Sequence, residues 1–135
     1  MKKMRLLASV LIVLVVLTAC APAGETVLTV GGQEYTQTEL EALGTLTVDY
    51  TNNDGEVTTY SGVPVSALLD DAGVADSGAN VTFTAADNYE AEATVDEVMA
   101  CTDCIVAFDD GSLRVVMPDF SSKLQVKDLV SITIQ

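Results

Sequence analysis

The chain has 135 residues, with 20 acidic side chains, six basic ones, and no histidine or tryptophan. Such an acid excess excludes nucleic-acid binding, which draws its affinity from Lys and Arg set against phosphates. The lack of histidine excludes Ser-His-Asp and Cys-His nucleophiles and histidine metal sites, and four Tyr and three Phe offer little for stacking sugars.

Lys2, Lys3 and Arg5 open the chain and precede an uncharged run from Leu6 to Ala19. That run is shorter than the roughly 20 residues a membrane span needs. It matches the apolar centre of a secretory signal. Its close, Leu17-Thr18-Ala19-Cys20, resembles the lipobox of bacterial lipoproteins. That resemblance implies cleavage before Cys20, a diacylglyceryl group on its sulfur and an address in the bacterial cell envelope. Two acyl chains make a stable anchor where one is marginal. The expected organisation is a signal peptide over 1–19, a lipidated tether over 20–25 and one folded domain over 26–135. All 20 acids lie beyond residue 19, against Arg114, Lys123 and Lys127, a balance of −17. Like charge keeps such a body off anionic lipid and in solution.

Thr26 to Val30 alternates and leads into Gly31-Gly32, a hairpin signal, with Gln33 to Thr36 as the return strand. A short helix follows, because Thr36 and Glu39 have capping-box spacing. Thr45 to Tyr50 and Glu56 to Tyr60 are β-rich and flank the turn Asn52-Asn53-Asp54-Gly55. Pro64 to Ala72 is the clearest helix, with Pro64 in its first turn, Val65, Leu68 and Leu69 on one face and Gly73 at its end. Asn80 to Ala85 and Tyr89 to Thr94 make a second hairpin. Val95 to Ala100 reads as a short helical turn. Ile105 to Phe108 and Leu113 to Met117 flank Asp109-Asp110-Gly111-Ser112, and Leu129 to Ile134 closes the chain. Seven or eight short strands and two short helices define a β-rich α+β domain of hairpins.

Cys101-Thr102-Asp103-Cys104 is the most reactive spacing. With Cys20 acylated, these two thiols have only each other as partners, and a disulfide is the default in an oxidising compartment. A redox role is the alternative, since a Cys-x-x-Cys loop can lower a thiol pKa. No metal site is expected, because zinc takes four ligands as a rule and the chain offers two thiolates. Asn52 to Gly55 fails as a calcium loop: Tyr50 and Ser61 fall where carboxylates belong. Arg114, Lys123 and Lys127 cluster late in the chain and mark a candidate anion-facing edge, unless they merely offset nearby acids.

Four segments in order resemble the oxidoreductase molybdopterin-binding domain of the sulfite oxidase type. They are Tyr60-Ser61-Gly62-Val63-Pro64 running on to Ala72-Gly73-Val74, Thr84-Ala85-Ala86-Asp87-Asn88-Tyr89, Leu113-Arg114-Val115-Val116-Met117-Pro118, and Gln125-Val126-Lys127 with the strand after it. Asn88 replaces the family's glycine. The resemblance implies a reduced form of that fold. It also implies that Gln125 and Lys127 match the phosphate-facing segment of the cofactor site, and Arg114 a neighbouring strand. In the family a cysteine thiolate ligates molybdenum, and Cys101 and Cys104 stand elsewhere in the pattern. The expectation is therefore an anchored, non-catalytic module for a small anionic ligand or an extracytoplasmic protein partner. No cofactor is expected, with molybdopterin as the exception to test. The alternatives are a redox protein using Cys101 and Cys104, and an accessory component of a molybdopterin-dependent oxidoreductase.

Overall fold

Residues 24–135 are described by a computed structural model; the leader and Cys20 lie outside them. Among the described residues no helix is long and apolar enough to cross a membrane.

Strands β1 (Thr26–Val30), β2 (Gln33–Thr36), β5 (Asn80–Ala85), β6 (Glu90–Thr94) and β9 (Leu129–Ile134) form one sheet in the order β2-β1-β9-β5-β6. Strands β3 (Leu46–Thr51), β4 (Val57–Pro64), β7 (Ile105–Asp109) and β8 (Ser112–Val116) form a second, in the order β3-β4-β7-β8. Neighbours pair antiparallel except β1 with β9, where Thr29 lies beside Ser131 and Val30 beside Ile132. The closing strand thus sits at the centre of the first sheet, between β1 and β5.

The described residues hold nine strands rather than seven or eight, and three helices rather than two: α1 (Gln37–Ala42), α2 (Val65–Asp71) and α3 (Val95–Ala100). The third is a complete helix because Thr94 and Glu97 form the same reciprocal cap that Thr36 and Glu39 form on α1. Each cap satisfies backbone donors that a helix start otherwise leaves unpaired. Pro64 is the last residue of β4 and the N-cap of α2. At the other end of α2, the N–H of Gly73 donates to the Asp70 carbonyl and that of Val74 to Leu69. Gly73 sits at φ +70° to allow this.

Strand β4 runs four residues past its expected end at Tyr60, because Gly62 lets its backbone lie against β7. A Cβ at Gly62 would collide with the carbonyl of Val106. Gly31-Gly32 and Asp110-Gly111 each turn with both residues at positive φ, the geometry that matches the twist of tight two-residue hairpins. Asn88 stands at φ +69°, a conformation asparagine tolerates.

Between the sheets and under the helices lies the main core. Leu28, Val30, Phe83 and Ile132 from the first sheet meet Val63, Val106 and Val115 from the second, and Leu68 and Leu69 of α2 with Val98 of α3 close its ends. These are the inward members of period-two and helical patterns. The other face of the second sheet carries a smaller cluster in which Val48, Ile105, Ala107 and Val116 pack with Tyr50 and Tyr60.

Candidate functional site

Lys123 and Lys127 line one cleft of about 330 Å³, together with Ala85, Asp87, Tyr89, Ser122 and Gln125. Its walls come from two distant parts of the chain. One is the β5–β6 turn, in which Asp87 accepts from the Tyr89 N–H. The other is the segment from the 3-10 turn Ser122–Leu124 to the start of β9, in which the Ser121 hydroxyl accepts from the Lys123 N–H. The Tyr89 hydroxyl bridges them by donating to the Lys123 carbonyl at 2.9 Å. Both lysines are exposed and both line this cleft. Asp87 and Asp128 also border that space and temper its positive charge.

Of the four residues expected on an anion-facing edge, Lys123, Gln125 and Lys127 border this cleft and Arg114 does not. Arg114 is 9 % exposed and lies in the second sheet. Its Nη1 donates to the Tyr60 hydroxyl at 2.8 Å and lies 3.5 Å from Asp109 Oδ2. Its guanidinium carbon stands 4.9 Å from the centre of the Tyr60 ring, within cation–π range. Arg114 therefore serves the outer face of the second sheet, away from the lysine cleft. Gln125 borders the cleft, but its amide closes a loop: Oε1 accepts from the Met117 N–H at 2.8 Å and Nε2 donates to the Met117 carbonyl at 2.7 Å. Sequence spacing grouped these side chains by proximity along the chain, whereas the fold keeps Lys123, Gln125 and Lys127 at one cleft and sets Arg114 in β8. Tyr89 and Ser122 join the site without having been singled out as binding residues, and nothing local to Tyr89 marks its bond to Lys123 across 34 residues.

A larger cleft of about 480 Å³ adjoins the first at Asp128. Val27, Phe108, Leu113 and Val130 give it an apolar lining, and Glu25 and Asp128 give it negative charge. The sign of that charge makes it the poorer site for an anion despite its size.

Cys101 and Cys104 are joined in a disulfide. Cys101 caps α3, and the Cys104 carbonyl accepts from the Val65 N–H at the head of α2. The bond thus ties α3 to the β7–α2 junction.

The comparisons with known proteins agree with this architecture. The chain belongs to the oxidoreductase molybdopterin binding domain family, which it matches over residues 17–135. Among solved structures it is similar to the sulfane dehydrogenase SoxCD from Paracoccus pantotrophus, at 20 % identity and a TM-score of 0.65. That alignment covers 79 % of this chain and 37 % of the other, so the chain spans little more than a third of its relative. No curated protein matches the chain.

Family membership raises the question of whether these side chains suit a molybdopterin cofactor. In the family a protein thiolate completes the metal's coordination, yet among the described residues both cysteines are consumed in the disulfide. Arg114 is engaged with Tyr60 and Asp109, and Gln125 with the Met117 backbone. Two lysines beside two carboxylates remain. This donor set does not fit a molybdenum-bearing group, and no chemical step is derived through one.

Proposed function

We propose that the protein is a lipid-anchored extracytoplasmic binding module, using a molybdopterin-binding fold to hold a small anion rather than to catalyse. The observation that carries the reading is the convergence of Lys123 and Lys127 on one cleft, in a body where three cations face 20 carboxylates. Two ammonium groups within reach of one space favour a phosphate-like ligand, and the Ser122 hydroxyl beside them supplies a neutral donor. The anchoring half of the proposal rests on the Leu17-to-Cys20 pattern and the charged start before it.

Calorimetric titration with inorganic phosphate tests the binding half. Saturable binding that disappears in a Lys123→Gln/Lys127→Gln variant is the expected result, and unaltered binding in that variant would sink it. Radiolabelled palmitate tests the anchor: incorporation into the protein but not into Cys20→Ala is expected, and an unlabelled, soluble protein overturns it.

Family membership favours a second reading, in which the module serves a molybdopterin-dependent oxidoreductase as an accessory. Co-purification of a molybdenum-containing partner from the native membrane would favour it over an independent binder.

A further inference from the structure

Cys101, Asp103 and Cys104 bring one carboxylate oxygen and two sulfurs within 4.8 Å of one another. Asp103 Oδ1 lies 3.2 Å from the Cys101 sulfur. A disulfide sulfur carries no proton, so this approach is not a hydrogen bond in the oxidised protein. The half-buried carboxylate is aimed at a sulfur that gives it nothing until the bond opens. Around a tetrahedral zinc ion, with Zn–S near 2.3 Å and Zn–O near 2.0–2.2 Å, neighbouring donors stand roughly 3.5–4 Å apart. The Cα atoms of the two cysteines stand 5.6 Å apart. Cys-x-x-Cys is also the ligand spacing of structural zinc sites.

The backbone of the loop is held independently of the disulfide. Cys101 N–H donates to the Val98 carbonyl at 3.1 Å, and Val65 N–H donates to Cys104 at 2.9 Å. Opening the bond therefore leaves both cysteines anchored, one to α3 and the other to the head of α2.

We propose that reduction converts this disulfide into a three-donor site for a divalent d10 cation, zinc or cadmium, with water completing the coordination. The site is separate from the lysine cleft and independent of the function proposed above. A dithiol donor supplies two electrons and two protons and leaves as its own disulfide, giving two cysteine thiols. The incoming cation then displaces both thiol protons, and the Asp103 carboxylate joins without a proton. Two thiolates, one carboxylate and a dication leave the site with one net negative charge. Because Asp103 is required only in the reduced state, it distinguishes this site from a disulfide that is merely structural.

Cadmium titration of the phosphine-reduced chain, freed of phosphine, tests the proposal through the ultraviolet thiolate-to-cadmium absorption. One cadmium per chain is expected, with the band present in the reduced protein and missing from the oxidised one. Asp103→Asn should weaken binding by at least about tenfold, since even outer-shell losses cost about 10–100-fold. Absence of the band after reduction, one cadmium shared by two chains, or wild-type affinity in Asp103→Asn would each overturn the proposal. So would equally tight binding by the oxidised protein, which would assign the metal to surface acids.

Discussion

The Tyr89 hydroxyl donates to the carbonyl of Lys123 at 2.9 Å, joining the β5–β6 turn to the segment that carries both cleft lysines. The bond sits at the surface, so its worth lies in position more than in stability. Tyr89→Phe should lower phosphate affinity several-fold while leaving the unfolding free energy within about 1 kcal/mol of wild type, the usual net value of one hydrogen bond. Parallel calorimetry and urea titration would check this, and unchanged affinity would detach the turn from the site.

Binding by two exposed ammonium groups depends on charge that salt screens. The screening length falls from about 10 Å at 0.1 M to about 3 Å at 1 M ionic strength. Phosphate affinity should therefore drop steadily across that range at constant pH. An affinity indifferent to salt would point to a ligand held by hydroxyls rather than lysines.

Arg114 and Tyr60 provide the matching control. Tyr60→Phe removes an acceptor from a buried guanidinium while keeping the ring beneath it. Hydrogen bonds to charged groups contribute about 1.5–3 kcal/mol, so a loss of that order is expected. Phosphate affinity should be untouched, because Arg114 belongs to another face. A fall in affinity without a fall in stability would return Arg114 to the anion site.

Tyr35 is 3 % exposed, and its hydroxyl donates to Asp71 Oδ2 at 2.7 Å. Burial first, and then the Asp71 carboxylate, push the phenol well above its ordinary 10.0. The folded state therefore holds this proton more tightly than the unfolded chain does. The associated stability is complete below about pH 10 and is lost as pH climbs above it. Tyr35→Phe should flatten that alkaline decline and cost about 1 kcal/mol at neutral pH. Denaturant midpoints measured from pH 8 to 12 would reveal both effects.

Among the described glycines, Gly62 leaves an added Cβ the least room. Alanine there meets the Val106 backbone rather than a flexible side chain, so β4 must separate from β7. Gly62→Ala should lower the melting temperature far more than Gly55→Ala, where an added Cβ meets only open space and the cost is confined to backbone conformation.

Much of the fold was legible because local rules agree with the final packing. Thr36 with Glu39 marks a helix start, and the turns Gly31-Gly32 and Asp110-Gly111 mark hairpins through their need for positive φ. The same rule, applied to Thr94 and Glu97, would have identified α3 as a full helix. The extension of β4 was hidden, because pairing with β3 at Ser61 and Gly62 and with β7 from Gly62 to Pro64 makes that segment a strand. The site was legible in part. The lysines were visible as rare cations, and their common cleft depends on bonds from Tyr89 and Gln125 that no short pattern records.

By itself the sequence determined the element types, the family resemblance, the charge and the pairing available to its cysteines. These follow from side-chain period, turn chemistry and composition, which act over a few residues. Tertiary structure alone decided that Arg114 is drawn off by Tyr60 and that the β5–β6 turn meets the lysine segment in one cleft. Those outcomes depend on strand order and register, which set residues tens of positions apart against one another, so each rests on contacts that exist only once both sheets have closed over the core.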